Sequence, residues 1–282
     1  MLIPLTAMLS GCTSTTSSDS GIEPATPQPP AGRLLIEELY YAGSPPAAGT
    51  DHYFSDQFIE IVNVSDEPVM IGGLMVGDAH GLAGVINNGD TPNSFAEEDP
   101  ERVVLDNIWR IPGAPEDHLL EPGDSFLIAH DGTNHQPFST VDLTGADFEA
   151  YVEGGNDEDY PLVDNLESVH YTGGYDWLMT VFGPSVVILS PEAADELETV
   201  DLGRWDAMAA PNAYVIDAVE TLKDGDSGDF KRLPDAVDAG FVHVSGTYSG
   251  ESVQRSREDG VLQDSNNSSV DFFMADTPSP GL

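Results

Sequence analysis

The stretch Gln57–Asp78 (QFIEIVNVSDEPVMIGGLMVGD) constrains the fold of this chain more than any other part of its sequence. Its first half, Phe58–Val64, is a short apolar run rich in β-branched residues. It is too short for a buried helix, so it predicts a strand that is buried on both faces. Residues 65–68 carry turn chemistry. A second strand, Val69–Val76, is interrupted at Gly72–Gly73, where we expect a bulge or a close backbone approach.

Further short apolar runs predict more strands along the chain, at Leu34–Tyr41, Val103–Ile111, Ser125–Ala129, Val186–Leu189, Tyr214–Val219 and Phe241–Val244. We expect Trp109 to cover a sheet edge or the rim of the core. Residues 191–197 are typical of a short helix with Ser190 as its N-cap. Many short strands, turn-rich connections and at most one or two helices indicate an all-β sandwich or barrel.

Three polar residues are expected to need partners inside this fold. Glu60 and Asn63 interrupt an otherwise apolar strand, so each requires a hydrogen-bond partner. Arg255 is one of only 9 basic residues and lies beside a predicted strand. We expect it to form a structural ion pair with Glu60 or Asp217.

The charge of the chain is far from balanced. Its 282 residues include 50 acidic and 9 basic side chains, a formal net charge of −41. Salt screens such repulsion, because the Debye length falls from about 8 Å at physiological ionic strength to about 3 Å at 1 M. We interpret the acidity as a surface adapted to high salt, as in a halophile; the alternative is an extracellular protein loaded with divalent cations. Nucleic acid is not an expected partner, because binding phosphates needs a basic surface.

The N-terminus predicts a lipid anchor. Residues 1–12 end in Leu9-Ser10-Gly11-Cys12, which resembles the lipobox of bacterial lipoproteins, in which the cysteine is lipidated and becomes the mature N-terminus. No Lys or Arg precedes the apolar run, so we expect a truncated start. Cys12 is the only cysteine, which excludes a disulfide framework.

Residues 13–32 are rich in Ser, Thr and Pro and predict a disordered tether.

Folded structure is expected over residues 33–282, as one large β domain or two small ones. Long polar stretches near 80–102 and 130–175 exceed ordinary connections and predict insertions. No later segment reaches the ~18 consecutive apolar residues that a membrane span needs. The expected location is therefore the outer membrane or the cell surface, with the membrane contacted through the lipid on Cys12.

Several short motifs occur in an order that resembles the lamin-tail domain, an immunoglobulin-like β-sandwich. They are Glu38–Tyr41, Glu60–Ser65, Gly73–Leu74, Pro122–Gly123 before Phe126–Ala129, Ile216–Val219, Ser252–Arg255 and Thr277–Gly281. The resemblance spans nearly the whole chain from Arg33, which implies a single domain over residues 33–282 and not two. Residues 264–272 also match a D-x-N-N-S-x-x-D-F signature, which is similar to that of a lipoprotein family of unknown function known mainly from the Bacteroidetes. These resemblances imply a lamin-tail-like sandwich with long loop insertions and a surface context, but no reaction.

Asp224, Asp226 and Asp229 have the alternating carboxylates of a calcium loop. An EF-hand needs Gly at its sixth position and usually Glu at its twelfth. Counted from Asp224, those positions hold Asp229 and Asp235, so the loop is not an EF-hand. An irregular Ca²⁺ site is one interpretation and a solvated acidic turn is the other. No other cofactor is expected.

Two further loops contain candidate ligand groups. His130 and His135 lie on one loop and could bind zinc or copper with a third ligand from the insertion; the alternative is that both imidazoles are solvated. Residues 264–271 could contact a ligand, or their Asn, Asp and Ser side chains could cap a tight turn that closes the sandwich. The sequence contains no Gly-x-Ser-x-Gly elbow and no Cys–His pair for nucleophilic catalysis, so we do not expect an enzyme.

The expected function is a non-catalytic, lipid-anchored binding or interaction module of the cell envelope. Its partner would be an outer-membrane transport complex or another surface protein, reached through the long loops. The alternative is a lipoprotein that captures a ligand or metal and feeds nutrient uptake, which requires convergent polar groups in one pocket.

Overall fold

The computed structural model describes residues 33–136, 138–154, 157–174, 176–177 and 179–281. The predicted signal peptide, Cys12 and the predicted tether lie outside these residues. The strands are β1 Leu34–Tyr40, β2 Phe58–Asn63, β3 Val69–Met70, β4 Met75–Ala79, β5 Arg102–Arg110, β6 Leu119–Leu120, β7 Ser125–Ala129, β8 Phe148–Glu149, β9 Asp164–Asn165, β10 Glu167–His170, β11 Ser185–Leu189, β12 Glu198–Asp201, β13 Asp206–Pro211, β14 Val215–Glu220, β15 Ser252–Arg255, β16 Arg257–Glu258, β17 Val261–Leu262 and β18 Phe272–Ala275.

Helical structure is short throughout the described residues. They contain two α-helices, α1 Phe95–Glu98 and α2 Ser268–Asp271. They also contain four 3₁₀ helices, Pro115–Asp117, Pro191–Asp195, Asn212–Tyr214 and Gly228–Phe230. The predicted all-β fold with long loops and one or two short helices is confirmed. No helix among the described residues is long and apolar enough to cross a membrane.

Two large sheets form the sandwich. The first has the strand order β18-β15-β1-β2-β7-β8-β9, and the second has the order β12-β13-β5-β4-β11-β14, with β10 also paired to β5. The pairs are antiparallel except β7–β8 and β8–β9, which are parallel. Those two added strands lie in the 130–175 region, so this part of the chain extends the first sheet.

The main core lies between the inner faces of the two sheets. Ile59 and Ile61 of the first sheet belong to the same buried cluster as Trp109 and Ile188 of the second. Every residue of β2 is buried, as its apolar run predicts. Trp109 is only 1% exposed, so its predicted place at a sheet edge or rim is wrong: it faces inward from β5, a strand flanked on both sides.

The glycine pair at residues 72–73 separates two strands that belong to different sheets. β3 pairs with β6, whereas β4 is a central strand of the second sheet. A Cβ on Gly72 would lie 2.1 Å from the carbonyl oxygen of Ala114, and Gly73 has φ +81°. The predicted close backbone approach is therefore confirmed, and it allows the chain to turn from one sheet to the other.

A smaller apolar cluster covers the outer face of the second sheet. Val187 and Leu189 point to this face, where they meet Ala193 of the 3₁₀ helix and Leu233. Ser190 precedes that helix, but its side chain makes no capping hydrogen bond. Residues 241–244 do not form the predicted strand. Val242 makes only an isolated bridge, to Thr221, which is the residue that follows β14.

Candidate binding site

The predicted ion pair of Arg255 is formed with Asp217. The guanidinium of Arg255 donates to the Asp217 carboxylate, and both side chains are almost fully buried. Arg255 Nε also donates to the Ile36 carbonyl at 2.7 Å, and the Ile36 N–H donates to Asp217 Oδ2 at 2.6 Å. Burial raises the pKa of Asp217 to about 6, although Arg255 opposes that rise. This pair joins β14 of the second sheet to β1 and β15 of the first, which is a structural role.

The two polar residues of β2 also have the partners that their burial requires. Glu60 accepts hydrogen bonds from Ser125 Oγ at 2.6 Å and from the Gly281 N–H at 3.2 Å. Asn63 Nδ2 donates to the Leu120 carbonyl at 3.0 Å. Both side chains are therefore hydrogen-bonded within the fold, as predicted.

The segment 264–271 is a capped turn. Asn267 caps α2, because its Oδ1 accepts from the Ser269 N–H at 3.1 Å. Asp271 Oδ2 accepts from the Ser265 N–H at 2.8 Å, and Asp238 Oδ1 accepts from the Ser268 N–H at 2.8 Å. The capping interpretation is confirmed, because these side chains bind the turn's own backbone.

The acidic loop at residues 224–229 is held by hydrogen bonds within itself. Asp224 Oδ1 accepts from Ser227 Oγ at 2.7 Å, and Lys223 Nζ lies 2.8 Å from Asp224 Oδ2. The hydrogen bonds from Lys223 and Ser227 hold the pKa of Asp224 below its ordinary value. Asp226 and Asp229 do not join Asp224 in a ligand cluster within the described ranges. A Ca²⁺ site at this loop stays a prediction.

His130 and His135 are both buried, so the interpretation that they are solvated is wrong. His135 Nδ1 lies 2.6 Å from Tyr53 Oη, and its Nε2 lies 3.0 Å from the Asp131 carbonyl oxygen. His130 Nε2 lies 3.0 Å from Asp176 Oδ1. The long polar loop therefore packs against the domain, and the two imidazoles have different neighbours.

Three carboxylates meet beside His130. Two of them belong to the 130–175 region, and the third follows it directly. One ligand oxygen from each of Asp131, Asp157 and Asp176 lies within 4.8 Å of the others. Burial raises the pKa of Asp131 to about 7; His130 opposes this rise, and the neighbouring carboxylates Asp176 and Asp157 add to it. We call these three residues the carboxylate cluster. Sequence spacing could not identify it, because its members come together only in the folded insertion.

A groove of about 700 Å³ lies between this insertion and the second sheet. We call it the insertion groove; its lining residues are Trp109, Tyr151, Val152, Glu153, Asp159, Asn165, Leu166, Ser168 and Tyr171. Trp109 Nε1 and Asn165 Oδ1 are buried and have no hydrogen-bond partner within the described part of the chain. The lining of the groove thus includes aromatic rings and carboxylates. It also includes one indole N–H and one amide oxygen that make no hydrogen bond within the described residues.

The carboxylate cluster is connected directly to the groove. Asp157 Oδ2 accepts a hydrogen bond from the Val152 N–H at 2.8 Å. The Tyr171 hydroxyl donates to the Asp176 carbonyl oxygen at 2.8 Å. Two lining residues of the groove are therefore positioned by residues of the cluster.

Comparison with known proteins identifies relatives but no reaction. The model of a family described as "Protein of unknown function (DUF4876)" matches residues 121–279. A crystal structure of a DUF4876 family protein from Bacteroides thetaiotaomicron VPI-5482 is similar, with a TM-score of 0.76 and 27% sequence identity. That similarity covers 89% of this chain and 72% of the other. No curated protein matches the chain. The lamin-tail-like assignment stays a prediction.

Proposed function

The chain belongs to the DUF4876 family, whose function is unknown, and we propose that it is a non-catalytic, lipid-anchored binding module of the cell envelope. The observation that carries this proposal is the insertion groove, in which buried polar atoms of Trp109 and Asn165 lack partners. Buried polar atoms are nearly always hydrogen-bonded, so a ligand that reaches these two atoms through a small shift of the lining side chains would complete them.

A neutral, hydroxyl-rich ligand fits the chemistry of this groove best. The half-buried rings of Tyr151 and Tyr171 offer apolar faces, while Asp159, Asn165 and Ser168 offer acceptors and donors for hydroxyl groups. A net charge of −41 repels anionic ligands.

Affinity electrophoresis of the full-length protein through gels that contain neutral polysaccharides tests the groove. We expect retardation by at least one polysaccharide, and we expect Asn165→Ala to weaken binding about tenfold, the loss for one hydrogen bond worth about 1.4 kcal/mol. Asn88→Ala, at an exposed loop position remote in sequence from the groove residues, is the matched control and keeps wild-type mobility. Equal retardation of both variants, or no retardation by any polysaccharide, contradicts a groove that binds such ligands.

We propose a lipid anchor on Cys12 from the lipobox-like Leu9-Ser10-Gly11-Cys12, and with it a location in the outer membrane or at the cell surface. Metabolic labelling with a radioactive fatty acid in a bacterial host tests it. We expect the wild-type protein to be labelled and to fractionate with membranes, and Cys12→Ser to lose both properties. Ser14→Ala, beside the lipobox, is the control that keeps the label. A labelled Cys12→Ser variant would exclude Cys12 as the anchor.

A capture lipoprotein that feeds nutrient uptake is the second candidate function. It is favoured by the carboxylate cluster, two of whose residues are hydrogen-bonded to residues that line the groove. Either function accommodates an outer-membrane transporter or another surface protein as the partner.

We propose that the acidic surface is an adaptation to high salt, where short Debye lengths weaken the repulsion among its charges.

A further inference from the structure

We propose that Asp131, Asp157 and Asp176 bind a single Ca²⁺ ion. Ca²⁺ is bound by oxygen ligands at about 2.3–2.6 Å, so two ligands on opposite sides of one ion are about 5 Å apart. The three carboxylate oxygens of the cluster all lie within 4.8 Å of one another, which is the spacing that one such ion requires. This site is distinct from the loop at residues 224–229.

His130 supplies an independent indication that a ligand belongs here. Its side chain is 1% exposed, and neither ring nitrogen has a partner of hydrogen-bond geometry among the described residues, although Nε2 lies 3.0 Å from Asp176 Oδ1. That carboxylate oxygen is also buried without a hydrogen bond. A buried carboxylate oxygen that accepts no hydrogen bond is costly, and a bound cation satisfies it directly.

The charge of the cluster also calls for a cation. No Lys or Arg in the described part of the chain forms an ion pair with any of the three carboxylates, and His130 is their one basic contact at ion-pair distance there. Three partly buried carboxylates have one imidazole as their basic contact, and a divalent ion would supply the positive charge that they lack. The all-carboxylate set favours Ca²⁺ over Zn²⁺, which prefers nitrogen and sulfur ligands, and Mg²⁺ sheds its water reluctantly.

A cation at this position would fix the insertion against the domain. Asp131 follows β7, Asp157 lies midway through the insertion, and Asp176 lies beyond β10, so one ion would join three distant points of the chain. Because Asp157 and Asp176 also hold Val152 and Tyr171, the same ion would set the shape of the insertion groove. The ion-binding proposal does not depend on what the groove binds.

Calorimetric titration and thermal unfolding of the full-length protein test the site. The protein is treated with EDTA, dialysed into 1 M NaCl to suppress weak binding to its acidic surface, and titrated with CaCl₂. We expect one saturable Ca²⁺ per chain and a rise in Tm of about 5 °C at saturation, with little effect of equimolar MgCl₂. The absence of a saturable site, or equal stabilisation by both salts, overturns the proposal.

Two variants locate the site. Asp157→Asn keeps a carbonyl oxygen for the Val152 N–H but loses the charge, so we expect it to weaken Ca²⁺ binding at least about tenfold and to lose the rise in Tm. Asp224→Asn is the matched control and keeps both. The opposite result would overturn the proposal. If Asp224→Asn lost the Ca²⁺-induced rise in Tm and Asp157→Asn kept it, the ion would belong to the loop at residues 224–229.

Terbium luminescence provides a test that does not depend on a folded variant. Trp177 follows Asp176 directly, so Tb³⁺ bound at the cluster is expected to be sensitised by excitation of tryptophan. Added Ca²⁺ should quench this emission with a stoichiometry of one. Emission that Ca²⁺ does not displace would show nonspecific binding to the acidic surface and would contradict the proposal.

Discussion

Ile61→Asp is expected to leave the protein unfolded. Ile61 has no exposed surface and lies in the middle of β2, opposite Ile36 of β1 on one side and Phe126 of β7 on the other. A carboxylate at this position would be buried without a partner, at a cost of several kcal/mol, in addition to the loss of apolar packing. Native domains are stable by only about 5–15 kcal/mol, so this loss removes most of the stability. Circular dichroism during thermal unfolding measures it.

Val64→Asp is the matched control for this substitution. Val64 lies one residue beyond β2 and is 41% exposed, so the new charge stays in contact with water. We expect a change of about 0.5 kcal/mol or less in the free energy of unfolding, as at ordinary surface positions. A cooperative transition near the wild-type Tm in Ile61→Asp would show that β2 is not the centre of the core.

Arg255→Met is expected to destabilise the protein by about 3–5 kcal/mol, because it leaves the Asp217 carboxylate buried without its ion-pair partner. The side chain of Met is close in length to that of Arg, so most of the packing volume is kept. Chemical denaturation followed by tryptophan fluorescence measures the change in the free energy of unfolding. Arg257→Met is the control: that side chain is 48% exposed and pairs with Glu37 at the surface, so we expect about 1 kcal/mol or less.

A double-mutant cycle separates the pair from its surroundings. Arg255→Met combined with Asp217→Leu removes both charges, and we expect this double variant to be more stable than Arg255→Met alone. A double variant as unstable as the sum of the two single variants would mean that Asp217 is stabilised by the Ile36 N–H and not by Arg255.

The sequence predicts a strand correctly where a short apolar run lies directly beside a clear turn signal. Ser125–Ala129 occupies its predicted bounds, since a Pro-Gly turn precedes a short run of apolar residues. The sequence narrowed the partner of Arg255 to Glu60 or Asp217, because each is an acidic residue within an apolar strand, and the structure selects Asp217. Residues 241–244 resemble a strand just as closely, but they make only one bridge, between Val242 and Thr221, the residue that follows the edge strand β14.

The candidate site was much less predictable, because it depends on how the insertion packs. A His in a polar loop gives no local sign of burial, yet His130 is covered by the folded insertion. Asp131, Asp157 and Asp176 are three of 50 acidic residues, and only the tertiary structure brings them together. The groove is likewise lined both by Trp109 of a central strand and by Asn165 of the insertion. Their positions along the chain do not indicate that they lie near each other.

The position of β1 in the first sheet has a consequence for the order in which the chain folds. β1 lies between β2 and β15, and its Ile36 meets Arg255, which is 219 residues later in the chain. Contacts of such long range close slowly and late. During synthesis or export, the edge of β1 therefore stays open until the last strands have emerged. A chain cut before β15 would retain that exposed edge, which is a template for aggregation, so its solubility depends on its own C-terminal strands.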